Sequence, residues 1–330
     1  GELRGASTRG RPCSRIPWPP DAPAGLRVFI AIGGATGTGK SQLSLDVASR
    51  LRTSGRGAQI INADAMQLYR GMDVGTAKLA EDEREGVPHH LLDVLDVDED
   101  ASVAWYQDQA RSLIETIEAE GDIPILVGGS GLYIAAVCFD LRFPGTDPAV
   151  RARLEAELEG DGPGQLFARL RELDPTAAAT IDPHNDRRLV SALEVIEVTG
   201  EPFSAQLPDQ EATWRDVTFA VVEEHREVLT PRLDARVERM WEAGLLEETE
   251  ALAEIGLERG TTAKRAIGYQ QALAELRGEL SRAEAIAEAQ LLTRKYARRQ
   301  VSWFRRYERA VRTHSGEGFA AQRILQAAGL

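Results

Sequence analysis

Cysteine is nearly absent: the 330 residues hold two, Cys13 and Cys138. That excludes a disulfide framework and an all-cysteine zinc site, and it fits a reducing cytoplasm. Cys138, between Val137 and Phe139, reads as a small buried apolar residue. No apolar run approaches the ~18 residues that a membrane helix needs, so an integral helical membrane protein is excluded. Positive charge is in deficit, 39 Lys and Arg against 52 Asp and Glu, for a net charge of −13. This excludes a protein that coats nucleic acid non-specifically, but it leaves room for a local basic patch. What is present is ordinary globular material, 43% hydrophobic and 28% charged, which argues against wholesale disorder. The length calls for one large domain or two linked ones.

Order begins with RVFIAIGG, an apolar run that reads as a buried strand. The helical stretch SQLSLDVASRLRTS follows, then a second strand-like run, AQIINA, that leads into Asp64. HHLLDVLD and DIPILVGG read as two further strands, with the helical AWYQDQARSLIETIEAEG between them. Strands alternating with helices predict a parallel α/β sheet. From about Pro144 the character becomes helical, with DPAVRARLEAELEG, GQLFARLRELDP and RRLVSALEVIEVTG separated by Asp-Pro and Gly breaks. A last strand is expected in WRDVTFAVVEE, and long helices from Thr230 onward. The predicted fold is therefore an α/β core over 27–142 and 216–330, interrupted by an all-helical insertion over 143–215.

Gly34-Ala35-Thr36-Gly37-Thr38-Gly39-Lys40-Ser41 matches G-x-x-x-x-G-K-[ST], directly after a strand and directly before a helix. Its glycines let backbone N–H groups wrap a phosphate, the helix N-terminus adds positive potential, and Lys40 adds a point charge. Ser41 is the expected ligand for Mg²⁺. The alternative is a tight glycine turn that binds nothing. The sheet is thus expected to be P-loop NTPase-like, holding a polyphosphate or diphosphate. Asp64, at the carboxyl end of the second strand, should face the same crevice. It can serve as a metal carboxylate or a base, or merely cap the segment that follows. Gln67 carries an amide that suits a base edge or a surface equally.

GATGTGKS, NADAMQLYRGMDVGTAK, ILVGGSGLY, NDRRLVSALEV, RAIGYQQ and TRKYARRQVSWFRR occur in this order over roughly residues 27–310. Together they resemble the tRNA dimethylallyltransferases, also called tRNA isopentenyltransferases, of bacterial type. The resemblance implies transfer of the prenyl group of dimethylallyl diphosphate to N6 of adenosine 37, beside the tRNA anticodon. The phosphate loop would then hold a departing diphosphate, with Lys40, the loop amides and Mg²⁺ on Ser41 stabilising charge. Thr36 matches a family threonine that donates to the diphosphate, and Asp64 matches the catalytic aspartate that takes the proton of the attacking amine. The family commonly has serine after that aspartate; here stands Ala65, so one hydroxyl contact is lost.

Thr230-Pro231 reads as the N-cap and first residue of a helix. Arg226 and Arg232 then lie just before and inside its first turn, where cations oppose the helix dipole unless an anion lies between them. The resemblance implies that both bind diphosphate, with Arg226 also counted as catalytic; ion pairs with Glu227 or Asp234 are the alternative. Residues 293–312 hold eight basic residues (Arg294, Lys295, Arg298, Arg299, Arg305, Arg306, Arg309, Arg312) and one acid, Glu308. As one helix they cover an arc of about 140°, with Tyr296, Trp303 and Tyr307 just outside it against the core. Such a stripe on an acidic protein is the footprint of a nucleic acid. The resemblance extends tRNA contacts to Asp64, Ala65, Met66 and Gln67, to Ser130, to Arg151, Arg187 and Arg188, and to Arg265, Gly268, Tyr269 and Gln270. Gly268 also suits a turn or close backbone approach.

His89-His90 and His184 lack partners at metal-ligand spacing, and the acidic run from Asp93 to Asp100 reads as a solvated loop. Residues 1–26 lack the apolar core of a secretory signal and are expected to be a disordered extension; a basic arm touching RNA is the weaker alternative. Gly1 in place of Met points to processing, or the segment to an over-long gene start. A cytoplasmic monomer is expected. The rivals are a prenyltransferase acting on free adenine nucleotides and an RNA-binding NTPase.

Overall fold

The computed structural model describes residues 28–141, 143, 147–206, 213–314 and 316–330. The expected extension 1–26, Cys13 and parts of both borders of the helical insertion lie outside the described residues. In chain order the elements are β1 (Phe29–Gly34), α1 (Lys40–Thr53), β2 (Ala58–Asn62), β3 (His89–His90), α2 (Val103–Ala119), β4 (Ile123–Gly128) and α3 (Gly131–Cys138). Four helices follow: α4 (Pro148–Asp161), α5 (Pro163–Leu173), α6 (Pro175–Ala178) and α7 (Asp186–Thr199). The chain then continues through β5 (Val217–Glu223), α8 (Arg226–Glu242), α9 (Leu245–Ile255), α10 (Tyr269–Leu276), α11 (Arg282–Phe304), β6 (Val311–His314) and α12 (Ala320–Ala327).

The sheet is six-stranded in the order β3-β2-β4-β1-β5-β6, and every neighbouring pair is parallel. All six residues of β1 are buried, as a central strand covered on both faces requires. Its alternate side chains divide between two cores. Ile30 and Ile32 pack with α1 and α12, whereas Phe29 and Ala31 pack on the side of α2, α3 and the helices after β5. Helices α4 to α7 enclose a third core of their own, built on Leu154, Leu166, Leu170, Leu189 and Leu193. Asp147 caps α4 by accepting from the N–H groups of Ala149 and Val150, and Asn185 caps α7 through the N–H of Arg188.

Several local expectations change. HHLLDVLD is a strand only at His89–His90, because Leu91 and Asp93 take positive φ (58° and 56°) and turn the chain away. Helix α8 starts at Arg226, with His225 at the N-cap and Pro231 inside the helix, so Thr230-Pro231 is not its entry. Leu229 and Leu233 account for the earlier start: both pack with Ala35 of the phosphate loop, and this burial outweighs the hydrogen bond lost at Pro231. The basic stretch is not one helix, since α11 ends at Phe304. Phe304 and Tyr307 are buried, and Arg312 lies in β6, an edge strand the periodicity did not show, paired with Glu223. Cys138 is buried as expected. No helix among the described residues is long and apolar enough to cross a membrane.

Candidate active site

The phosphate loop joins β1 to α1. Gly37 has φ of 80°, and a Cβ there would come within 2.7 Å of the Leu233 side chain, so the position needs glycine for conformation and for space. Thr38 is buried and donates to the Ala35 carbonyl at 2.8 Å; Lys40 Nζ donates to the same oxygen at 2.7 Å. Burial lowers the Lys40 ammonium from its ordinary 10.5 to about 8, opposed by the charge of Asp64 and assisted by that of Arg236. The Thr36 amide donates to Gln300 Oε1 of α11 at 2.9 Å, and Gln300 Nε2 donates to the Gly129 carbonyl at 2.8 Å. One buried side chain thus ties the loop to the turn after β4.

Two arginines of α8, one helical turn apart, reach this loop. Arg232 donates to the Gly37 carbonyl at 3.0 Å and pairs with Glu224 at 3.1 Å. Arg236 donates to Thr36 Oγ1 at 3.2 Å and to the Thr76 carbonyl at 3.3 Å. Arg226, at the start of α8, is exposed. Sequence reasoning missed Arg236; the Arg232–Arg236 spacing, which puts both on one helix face, was the signal available.

Asp64 follows β2 and is half-buried. Its Oδ1 accepts the Met66 N–H at 2.9 Å, and its own N–H donates to Asn62 Oδ1 at 2.9 Å. The capping role and the crevice position therefore coexist. The Ala65 N–H donates to Ser130 Oγ at 3.1 Å, so the segment after Asp64 is held to the turn after β4. Gln67 Nε2 donates to the Thr76 carbonyl at 3.2 Å. Tyr296 is half-buried on α11; burial first, then the charge of Asp64, pushes its hydroxyl up to about 12, against contacts with Ser130 and Gln300.

Thr36, Asp64, Met66, Arg236 and Tyr296 line one cavity of about 280 Å³. Its wall continues through Gly75, Thr76, Val237, Met240, Trp241, Ala266, Ile267, Gly268 and Ala289, and Arg265 and Arg299 stand at its exposed rim. Tyr269 is fully buried, and its hydroxyl donates to Glu248 Oε1 at 2.5 Å. That carboxylate also accepts the N–H groups of Asp73, Val74 and Gly75 at 3.2, 2.8 and 3.3 Å. Tyr269 therefore shapes the loop beside the cavity. Gln270 is exposed on α10.

The insertion residues stand apart from the cavity lining. Arg151 is engaged by Glu194 at 2.7 Å and by Ser191 at 3.2 Å, while Arg187 and Arg188 are exposed at the start of α7. For a metal, no cluster of three or more His, Cys, Asp or Glu among the described residues can form a cage. Ser41, exposed on the first turn of α1, fits the other way of holding Mg²⁺, in which one hydroxyl is completed by phosphate oxygens and water.

A family model described as IPP transferase matches residues 67–307. The tRNA dimethylallyltransferase of Clavibacter sepedonicus is 57% identical over 299 residues, covering 91% of this chain and 97% of its own length. The chain belongs to the tRNA dimethylallyltransferase family. Its relative in Thermobifida fusca is 55% identical over 281 residues, covering 85% of this chain and 88% of that protein. Among solved structures, the tRNA isopentenylpyrophosphate transferase of Bacillus halodurans aligns with a TM-score of 0.64 at 37% identity, over 92% of this chain and 95% of that one. A eukaryotic dimethylallyltransferase, described as acting on tRNA, aligns with a TM-score of 0.76 at 29% identity, over 90% and 77%. Within the family, this fold is the P-loop NTPase-like sheet that the loop motif led us to expect.

Proposed function

We propose that this chain transfers the dimethylallyl group from dimethylallyl diphosphate to N6 of adenosine 37 in tRNA, releasing diphosphate. The observation that carries the reading is the meeting, in one cavity, of the phosphate-loop Thr36, the guanidinium of Arg236, the carboxylate of Asp64 and an apolar wall.

Lys40, the loop amides, Arg232 and Arg226 hold the diphosphate. Because Thr36 Oγ1 accepts from Arg236, its own hydrogen is directed elsewhere and can be donated to the oxygen that leaves C1. Ser41 would hold Mg²⁺, which would supply further neutralisation of the leaving group. The adenine N6 attacks C1, the C1–O bond breaks with its electron pair passing to diphosphate, and the proton lost from N6 goes to Asp64. An amine whose lone pair is delocalised into the ring needs that base as the N–C bond forms.

The base must leave its stack to enter the cavity, and Arg265 and Arg299 form the rim it passes, with Gly268 in the wall behind them. We assign Met66, Gln67, Ala65, Ser130, Tyr269 and Gln270 to the walls and supports of that entry. The helical unit, with Arg151, Arg187 and Arg188, is assigned to the tRNA stem. We assign the chain to a monomer in the cytoplasm; the scarcity of cysteine supports the compartment.

The test is incubation with radiolabelled dimethylallyl diphosphate, Mg²⁺ and three separate acceptors: unmodified tRNA with adenosine 37, its guanosine 37 variant, and AMP. Label in the first alone supports donor, acceptor and position together. Label in AMP moves the chain to the enzymes that modify free nucleotides. Nucleotide hydrolysis with no label anywhere would favour an RNA-binding NTPase.

A further inference from the structure

Helix α8 lends Arg236, Val237, Met240 and Trp241 to the lining of the cavity. Arg236, which reaches Thr36, stands at the phosphate end. Met240 and Trp241 follow four and five residues later, about 6 and 7.5 Å further along the helix axis at 1.5 Å per residue. Both line the cavity, as does Ala289 of α11, whose neighbour Gln290 donates to Glu238 of the same stretch of α8. Trp241 is a fixed wall. It is 6% exposed, its indole N–H donates to Glu275 Oε2 at 2.7 Å, and Glu275 Oε1 is held in turn by Arg282 Nε at 2.9 Å. Arg299, ten residues or about 15 Å from Ala289 along α11, suits the base, which leaves this apolar end for the hydrocarbon tail.

We propose that Met240 and Trp241 set the length of prenyl tail the site accepts, admitting a five-carbon allylic diphosphate and refusing the ten-carbon one. This rests on the donor reading above. α8 acts as a ruler whose zero is the guanidinium of Arg236 and whose stop is the indole of Trp241. A second isoprene unit roughly doubles the tail, and the stop has no room to move, because the indole is tied to a carboxylate that is itself tied to Arg282. Tight packing turns each surplus methylene into a loss of roughly 10- to 200-fold in kcat/KM.

The test is a competition with the full chain, Mg²⁺, tRNA bearing adenosine 37 and equal concentrations of dimethylallyl and geranyl diphosphate. The product nucleosides are digested out and separated by mass. The unaltered chain is expected to favour the five-carbon product by at least about 100-fold. Trp241→Leu and, separately, Met240→Ala should each raise the ten-to-five product ratio by at least about 10-fold. The ratio is read within each sample, so a change in the amount of folded protein does not move it; Met240→Ala removes less bulk and stands in should Trp241→Leu fail to fold. An unchanged ratio in the folded variants overturns the proposal, as does an unaltered chain that uses both donors alike. An unaltered chain that transfers neither group shows instead that the donor reading itself has failed, and the ruler falls with it.

Discussion

Gln300 accepts the amide hydrogen of Thr36 at 2.9 Å across a sequence separation of 264 residues, and the same side chain donates to Gly129 at 2.8 Å. The conformation of the phosphate loop is therefore set by α11 as well as by its own glycines. Gln300→Leu keeps the bulk but strands the half-buried Thr36 N–H and the buried Gly129 carbonyl, the latter at about 1–3 kcal/mol and the former at less. We expect KM for the prenyl donor to rise by about tenfold or more with a lowered melting temperature. Steady-state kinetics at saturating tRNA checks this, and an unchanged donor KM would show that the loop holds its shape unaided.

Lys40 should take up a proton when diphosphate binds. Its ammonium lies at about 8 in the free protein because burial disfavours the charge, and an anion in the loop restores it. Binding is thus expected to weaken as the pH rises above about 8. Titration calorimetry at pH 8.5 in buffers of different ionisation enthalpy should report proton uptake, and Lys40→Arg should abolish it. The sign for stability follows from the same group. Between about 8 and the ordinary lysine value of 10.5, the unfolded chain binds more protons than the folded one, so the ligand-free fold gains stability from Lys40 as pH rises through that window.

Asp64→Asn retains an oxygen that can accept the Met66 N–H, so the local turn should survive. What it loses is the base. We expect kcat to fall by about 10²- to 10⁴-fold, with tRNA affinity within a few-fold of the unaltered chain. Single-turnover kinetics beside a filter-binding assay separates the two, and an equal loss in both would make Asp64 chiefly an RNA-positioning group.

The Glu248 carboxylate gathers three consecutive N–H groups and the Tyr269 hydroxyl, and the next carbonyl along that loop, at Thr76, orients both Gln67 and Arg236. Tyr269→Phe removes one of the four donors and should lower kcat/KM modestly. Glu248→Ala leaves the loop without its acceptor and should cost at least tenfold more. Limited proteolysis between residues 70 and 80, run beside the kinetics, should show that loop becoming accessible in Glu248→Ala alone.

The parts of this site that were legible in the sequence are those whose chemistry is local. The GATGTGKS loop announces itself by glycine spacing between a strand and a helix, and Asp64 by its place at the end of β2. Arg236, Gln300 and Glu248 were not legible, because each is an ordinary helical residue until a distant segment is brought against it. The start of α8 was misread for the same reason: Thr230-Pro231 is a strong local cap signal, yet burial of Leu229 and Leu233 against Ala35 prevails. β6, four residues long and carrying an arginine and a histidine, has too little apolar pattern to show as a strand. Residues 293–312 gave the right charge but the wrong extent, since the packing of Phe304 and Tyr307 ends the helix before its last arginines.

The strand order has a consequence for the birth of the molecule. β1 lies between β4 and β5, so the strand that carries the phosphate loop leaves the ribosome before either of its partners exists. The buttress from α11 comes later still. A nascent chain therefore carries GATGTGKS unpaired until β4 (Ile123–Gly128) has been made and without its second neighbour until β5 (Val217–Glu223) follows, and such long-range pairing is slow to form. A chain cut short before α11 therefore lacks the acceptor for the Thr36 N–H, and the loop gains that support only in the last part of synthesis.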